Sequence, residues 1–168
     1  MGTAQRWAIV ANPVAGRGKG RRVGGRVAGL LTRAGMDVSL LWTTRQGEGE
    51  YLVAKAVRDG VEGLLVCGGD GTIHEAINGL YSSAQHPDEV PIGIAPAGRC
   101  NDFRVCLDLP KDSSLLVDAV TKGVTRRIDL GRIGDRYYAT VATLGFDSAV
   151  GQYVAEGRMR ETDWSRYS

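Results

Sequence analysis

The hydrophobic positions along the chain alternate between short continuous runs and longer stretches with helical spacing. Apolar runs at 7–11, 38–42, 64–67 and 91–95 predict four strands, and the continuous run at 64–67 is expected for a strand covered on both faces. Helical spacing at 23–34, 50–58, 73–80 and 113–122 predicts helices with one buried face each. Strands that alternate with helices in this way are typical of a largely parallel sheet in an α/β domain.

The region after residue 123 departs from this alternation. Residues 128–133 and 137–144 predict two strands joined by a hairpin turn at Gly134 and Asp135, and Asp129 falls in the first of them. A final helix is expected to open at residues 145–147, and the polar stretch 157–168 has no obvious core face. We therefore expect one domain over residues 1–147, followed by a helix or tail over 148–168.

The loop after the third predicted strand contains the most informative chemistry. Residues 68–71 hold three glycines around Asp70, and glycines let a ligand approach the main chain closely. Thr72 and Glu75 have the spacing of a capping box, which predicts that a helix begins at Thr72 and offers free N–H groups to an anion. Because a carboxylate repels phosphate unless a cation or hydroxyl lies between them, the pattern indicates metal-assisted phosphoryl transfer. An ordinary βα turn is the alternative.

Two further loops follow predicted strands. After Asn12 comes a glycine-rich loop with Arg17 and Lys19, which fits either a second phosphate contact or a surface turn with solvated charges. After residue 96, Asn101 is a candidate N-cap for a short helix that begins with Asp102. Ligands of parallel sheets bind beyond the carboxyl ends of the strands, so we expect all three loops at one edge.

Composition narrows the class of protein. The 168 residues suit one domain, and 43% hydrophobic with 24% charged residues is typical of a soluble globular protein. A net charge of +2 gives no support for nucleic-acid binding. No apolar run approaches the roughly 20 residues of a transmembrane helix, and no signal-peptide core is present. The odd number of cysteines, with Cys67 in a predicted core strand, favours a reducing, cytoplasmic setting.

The motifs taken together resemble the catalytic domain of diacylglycerol kinases and their bacterial lipid-kinase and sphingoid-kinase relatives. The resemblance covers nearly the whole chain in order and spacing, although the Gly-Gly-Asp-Gly-Thr element alone also occurs in NAD kinases and 6-phosphofructokinases. The matching residues are Asn12-Pro13 with Gly16, then Gly68-Gly69-Asp70-Gly71-Thr72 with Glu75 and Asn78-Gly79-Leu80, then Pro96, Gly98 and Asn101-Asp102-Phe103.

The resemblance implies a Rossmann-like three-layer fold of this kinase type. It implies an ATP-dependent, Mg²⁺-dependent kinase in lipid metabolism that phosphorylates a lipid hydroxyl, with Asp70 catalytic, in the cytoplasm or at the inner face of the membrane. The resemblance implies acidic residues linked to Mg²⁺ at Asp70, Asp102 and Asp129. Nucleotide contacts are expected at Asn12, Thr43, Gly68, Gly69, Asp70, Gly71, Thr72, Ile73, His74, Arg99 and Asn101.

Two departures from the family pattern leave alternatives open. Arg99, followed by Cys100, stands where the family has a Thr that contacts the nucleotide phosphates. Family members are also about twice this length, because a C-terminal β-rich domain, absent from this chain, follows and forms much of the lipid site. The alternatives are a catalytically silent nucleotide-binding or regulatory module, and a related kinase that acts on NAD or a sphingoid base. The lipid and whether the protein forms a homo-oligomer stay open.

Overall fold

A four-stranded parallel sheet forms the centre of the fold. The computed structural model describes residues 5–140 and 142. The sheet has the order β2-β1-β3-β4, with β1 at Arg6–Ala11, β2 at Asp37–Trp42, β3 at Gly63–Gly68 and β4 at Ile92–Pro96. Ala11 is paired with both Trp42 and Cys67, and Gly68 is paired with Pro96. The four carboxyl ends therefore lie at one edge, as predicted.

Helices cover both faces of this sheet. One hydrophobic cluster joins the sheet to α2, α3 and α4, and a second joins it to α1 and α5. The predicted three-layer α/β fold is thus confirmed. Among the described residues no helix is both long and apolar enough to cross a bilayer. The helices are α1 Ala15–Arg33, α2 Glu48–Arg58, α3 Asp70–Ser83, α4 Asp102–Cys106 and α5 Ser113–Thr121, with a 3₁₀ turn at Pro87–Glu89.

Strand β3 is buried along its whole length, which explains its continuous apolar sequence. Leu64 and Val66 contribute to the cluster with α2 and α3, whereas Leu65 and Cys67 contribute to the cluster with α1 and α5. Side chains alternate between the two faces of a strand, so a strand covered on both faces needs apolar residues throughout. This strand places the turn that follows it at the middle of the sheet edge.

The glycine-rich loop after β1 is confirmed as a non-helical turn at the start of α1. Gly16, Arg17 and Gly18 have left-handed backbone angles, with φ of 55°, 58° and 89°. Two of these positions are glycine, which adopts such angles without steric cost, whereas Arg17 is strained there. At the other end, Gly35 follows the last turn of α1 with φ of 82°, as expected for a helix stop.

The predicted hairpin is present but shorter than expected. Strand β5 spans Gly131–Ile133 and β6 spans Arg136–Tyr138, paired antiparallel. Ile128 is 39% exposed and lies outside β5, because the segment that precedes residue 131 has no strand partner among the described residues. The end of the second predicted strand, the predicted helix at 145–147 and the tail 148–168 lie outside the described residues.

Candidate functional site

The loops after β1, β3 and β4 are in direct contact at the carboxyl edge of the sheet. A Cβ on Gly98 would lie 2.5 Å from the Cα of Gly69, so the loops after β3 and β4 touch through bare main chain. A Cβ on Gly16 would overlap the carbonyl oxygen of Ala97, which joins the loop after β1 to the loop after β4. The three motif loops therefore form one continuous surface around the start of α3.

The three glycines of residues 68–71 have different surroundings. A Cβ on Gly68 would overlap the hydroxyl of Thr72, and a Cβ on Gly69 would lie 3.1 Å from the Cα of Gly98. A Cβ on Gly71 would meet no atom of the described chain within 4 Å. Packing within the protein thus explains the first two glycines. Gly71 instead faces open space at the first turn of α3, where a ligand can reach the main chain.

Helix α3 begins at Asp70 rather than at Thr72, so the predicted capping box is wrong. Gly69 is the N-cap, in an extended conformation, so the N-cap residue has no side chain with which to cap the first turn. The carboxylate of Glu75 instead accepts hydrogen bonds from the N–H groups of Gly47 and Gly49 at the start of α2, at 2.9 Å each. The first N–H groups of α3 therefore receive no acceptor from an N-cap side chain, although the carbonyl of Gly69 accepts a hydrogen bond from the N–H of Ile73 at 3.1 Å.

Replacing Glu75 with Ala is expected to destabilise the fold by about 2–3 kcal/mol, because two amides at the start of α2 lose a charged acceptor. Glu75→Gln keeps one acceptor oxygen without the charge and should lose less. Urea denaturation followed by circular dichroism measures both. Equal midpoints for the wild type and Glu75→Ala would contradict this role.

Asp70 ties the loop after β3 to helix α4. Its Oδ1 accepts a hydrogen bond from the N–H of Phe103 at 3.0 Å, in the first turn of α4. Asn101 stands at the predicted N-cap position with φ of 55°, but its side chain bonds the N–H and the carbonyl of Gly98, at 2.9 Å each. Asp70 therefore supplies the acceptor for α4, while Asn101 braces the loop that contains Gly98.

The ends of β1 and β2 place two more of the predicted nucleotide contacts. Asn12 follows β1 directly, and its Oδ1 accepts a hydrogen bond from the N–H of Val14 at 3.1 Å. Thr43 follows β2 and is buried, with its N–H bonded to the carbonyl of Ala11 at 2.9 Å. Next to it, the N–H and hydroxyl of Thr44 bond Glu48 and lower the pKa of that carboxyl. Asn12 is thus held by a bond within its own loop, and Thr43 by a bond to the end of the neighbouring strand β1, both at the edge where the motif loops meet.

The remaining predicted contacts differ in exposure. Ile73 is 3% exposed and packs in the cluster beneath α3, so it offers little surface to a ligand. His74 is exposed in the first turns of α3, and Arg99 is exposed in the loop after β4. The side chains at these positions thus offer an imidazole and a guanidinium to the same edge of the sheet.

The three predicted metal-linked carboxylates are not gathered into one cluster. Asp102 is exposed at the first residue of α4, and Asp129 is exposed and precedes β5 instead of lying in a strand as predicted. Within the part of the chain that the structure describes, no three His, Cys, Asp or Glu side chains are placed to hold a metal together. Mg²⁺ is usually bound by one or two carboxylates with phosphate oxygens and water. A carboxylate such as Asp70, with only Oδ1 engaged by a described residue, fits that pattern.

Cys67 is buried at the end of β3, as predicted. Burial raises the pKa of its thiol to about 12, and its Sγ lies 3.5 Å from the carbonyl oxygen of Gly20. A thiol with that pKa stays protonated at neutral pH, and the thiolate is the nucleophilic form. Cys67 therefore contributes packing to the site.

A cavity of about 240 Å³ lies beside Asp70. It is bounded by the start of α3, by α4 and by the end of the β5–β6 hairpin. Its lining combines apolar side chains with a carboxylate, an imidazole and two hydroxyls. The lining residues are Asp70, Gly71, Ile73, His74, Phe103, Tyr138, Ala139 and Thr140.

Comparison with known proteins identifies the family to which this chain belongs. The diacylglycerol kinase catalytic domain matches residues 6–133, so the chain belongs to the diacylglycerol kinase catalytic-domain family. It is 34% identical over 137 residues to the diacylglycerol kinase of Staphylococcus carnosus, covering 82% of this chain and 44% of that protein. The diacylglycerol kinase of Staphylococcus saprophyticus is 33% identical over the same shares, 82% and 44%.

A solved structure supports the same assignment. The crystal structure of a diacylglycerol kinase from Bacillus anthracis matches with a TM-score of 0.65 and 28% identity, covering 79% of this chain and 48% of that one. The chain thus spans less than half the length of these relatives. The family resemblance and the GGDGT-kinase fold expected from the motifs are confirmed.

Two structural features of the site were not predicted from the sequence. The bond from Asp70 to the Phe103 amide joins residues 33 positions apart, and the bonds from Glu75 reach α2 across 26 and 28 positions. Local spacing carries no signal for either. The Asn78-Gly79 pair, by contrast, was a signal in the sequence for a close contact between helices. A Cβ on Gly79 would overlap the carbonyl oxygen of Glu50, so this glycine lets α2 and α3 touch.

Proposed function

We propose that the protein is an ATP-dependent lipid kinase that transfers the γ-phosphoryl group to a lipid hydroxyl, with diacylglycerol as the acceptor. In this proposal the described chain is the nucleotide-binding part. Membership of the diacylglycerol kinase catalytic-domain family supports the reaction class. The observation that carries the nucleotide site is Gly71, whose Cβ position faces open space at the start of a helix whose N-cap residue is a glycine. Such a start favours an anion through its N–H groups and its dipole.

In the proposed mechanism the main chain of residues 68–72 binds the phosphates of ATP, and the ends of β1 and β2 hold the rest of the nucleotide at Asn12 and Thr43. Asp70 keeps one oxygen on the Phe103 amide and directs its charge toward the reacting phosphoryl group. Mg²⁺, when bound there, would neutralise charge that builds up on the phosphates. Arg99 adds a guanidinium, which pairs well with phosphate oxygens.

The acceptor hydroxyl attacks the γ-phosphorus in line with the leaving oxygen of ADP. Its proton passes to a base, either Asp70 or a residue outside the described chain. Since the acceptor is a lipid, we propose that the reaction takes place at the inner face of the membrane, with the protein bound peripherally.

Gly71→Ala tests the nucleotide site directly. Nothing in the described chain contacts the added methyl group, and Ala is favoured over Gly in a helix by about 1 kcal/mol, so the melting temperature should stay the same or rise. The affinity for ATP with Mg²⁺, measured by calorimetry, should fall at least about tenfold because the methyl group occupies the space of the phosphates. Gly25→Ala is the matched control, since it also lies in a helix with nothing within 4 Å. Unchanged ATP affinity in Gly71→Ala would contradict the site.

A catalytically silent nucleotide-binding module is the second candidate, favoured by Arg99 at the position of the family's Thr. A transfer assay with labelled ATP on the full-length protein separates the two. ATP binding without transfer to diacylglycerol, a sphingoid base or NAD would favour the silent module. Transfer to NAD or to a sphingoid base alone would keep a kinase and change the acceptor.

A further inference from the structure

The β5–β6 hairpin is fastened to α2 and α3 by three contacts at one strand. The side chain of Asn78 bonds both main-chain groups of Tyr137, accepting from its N–H and donating to its carbonyl at 3.0 Å each. The ring of Tyr137 lies 4.3 Å from the ring of Tyr81. Arg136 reaches both carboxylate oxygens of Glu50, at 2.9 and 2.8 Å. These contacts fix β6 against the two helices.

The residues that follow this fastening form the outer wall of the cavity beside Asp70. Tyr138, Ala139 and Thr140 line it on the hairpin side, directly after the fastened pair at 136–137. The opposite wall comes from the first turns of α3 and from Phe103 of α4. A small movement of β6 would therefore change the distance between this wall and the opposite wall, which includes Asp70 and Gly71.

The cavity is too small to enclose a whole lipid. Its 240 Å³ lies below the roughly 300–1,000 Å³ of pockets that bury a drug-sized ligand, so it fits only one end of a larger molecule. It belongs to the sheet face that carries α2, α3 and α4, whereas the glycine turn at 16–18 leads into α1 on the other face. Asp70 lines this cavity together with the apolar residues Ile73, Phe103 and Ala139.

We propose that this cavity takes the hydroxyl-bearing end of an apolar acceptor, and that Glu50, Arg136 and Asn78 are positioning residues that set its outer wall. This proposal rests on the proposed kinase function, in which Asp70 lies at the reacting phosphoryl group. The fastening acts through Tyr138 and Thr140, and none of the three positioning residues lines the cavity itself.

The Glu50–Arg136 pair allows a test that spares the fold. Both side chains are partly exposed, at 32% and 51%, and ion pairs of this kind contribute little to stability. Arg136→Glu places two carboxylates opposite each other and should push β6 away from α2. Reversing both charges, Glu50→Arg with Arg136→Glu, restores the attraction. Lys55→Glu is the control, since it makes the same charge change on α2 and breaks only the exposed pair with Asp59.

Steady-state kinetics of the full-length protein with ATP and dioctanoylglycerol in mixed micelles test the positioning role of the Glu50–Arg136 pair. Arg136→Glu should raise the KM for dioctanoylglycerol at least about tenfold, because a displaced wall loses its contacts with the bound end of the acceptor, while the KM for ATP stays near the wild-type value. The double reversal should recover most of the loss, and Lys55→Glu should behave as the wild type. If circular dichroism shows Arg136→Glu unfolded, Arg136→Ala replaces it, with a rise of several-fold expected.

Each other outcome overturns the inference. A folded Arg136→Glu variant with an unchanged KM for the acceptor removes the positioning role, and so does an equal rise in both KM values. Failure of the double reversal to recover would assign the loss to the single residues instead of the pair. A wild-type protein that binds ATP but transfers phosphate to no lipid overturns the proposed function and this inference together, whereas an active wild type with an indifferent Arg136→Glu overturns the inference alone.

Discussion

Replacing Asp70 with Asn in the full-length protein is expected to reduce turnover by roughly 10³-fold or more while leaving the fold intact. The amide oxygen of Asn still accepts the hydrogen bond from the Phe103 N–H, which the carboxylate accepts at 3.0 Å in the wild type. The variant loses only the negative charge at the proposed phosphoryl site. Labelled-ATP transfer to diacylglycerol measures the first effect, and thermal unfolding measures the second.

The contrast between two variants of Asp70 separates its chemical role from its structural one. Asp70→Ala also removes the hydrogen-bond acceptor for α4. Its free energy of unfolding should be lower than that of the wild type by about 0.5–2 kcal/mol, as is found when capping residues are replaced by Ala. Asp118→Asn, an exposed carboxylate on α5, serves as the control for loss of charge. Turnover of Asp70→Asn close to that of Asp118→Asn would remove Asp70 from the mechanism.

The second large effect is expected for Gly98→Ala, which should destabilise the protein by about 2–3 kcal/mol and weaken ATP binding. The added Cβ would lie 2.5 Å from the Cα of Gly69 and 3.2 Å from its N, so the main chain of one loop must move. Because Gly69 caps α3, this movement also shifts the proposed phosphate site. Urea denaturation and calorimetric titration with ATP and Mg²⁺ measure the two effects.

A graded series makes this prediction sharper. Gly69→Ala adds a methyl group to the same contact from the other side, at 3.1 Å from the Cα of Gly98, and should cost less than Gly98→Ala. Gly25→Ala has open space around it and should cost nothing. Should Gly98→Ala and Gly25→Ala unfold at the same urea concentration, the close contact of the two loops would be ruled out.

The sheet and its edge were predictable because their signals are local. A strand buried on both faces requires an unbroken apolar run, and Leu64 to Cys67 supplies one. The order of the loops along the chain then places residues 12, 68 and 96 at one edge, since parallel strands end together. The stop of α1 at Gly35 was also local, because its positive φ is a property of the backbone at that residue.

The partners of the polar side chains were not predictable in the same way. Thr72 and Glu75 have the spacing of a capping box, yet Glu75 bonds two amides of α2, because those amides are brought to it by the packing of α2 against α3. Asn101 was correctly placed at a helix start, but its side chain bonds Gly98 instead of the helix. Asp129 was assigned to a strand whose pairing begins only at residue 131. The outcome for Glu75 depends on residues that are distant in the sequence. Asn101 instead bonds a residue three positions away, and Asp129 lies two residues before the first paired residue of β5, so in these two cases the residue types were consistent with more than one local arrangement.

The single hydrogen bond between Asp70 and Phe103 has a thermodynamic consequence. A five-residue helix has little stability of its own, so α4 depends on an acceptor that belongs to another loop. Any bound species that draws this oxygen away competes with the amide, and by reciprocity the fraying of α4 then favours that species by the same factor. Binding of such a species at the edge of the sheet and the order of α4 are therefore linked. The hydrogen-exchange rate of the Phe103 amide reports on both.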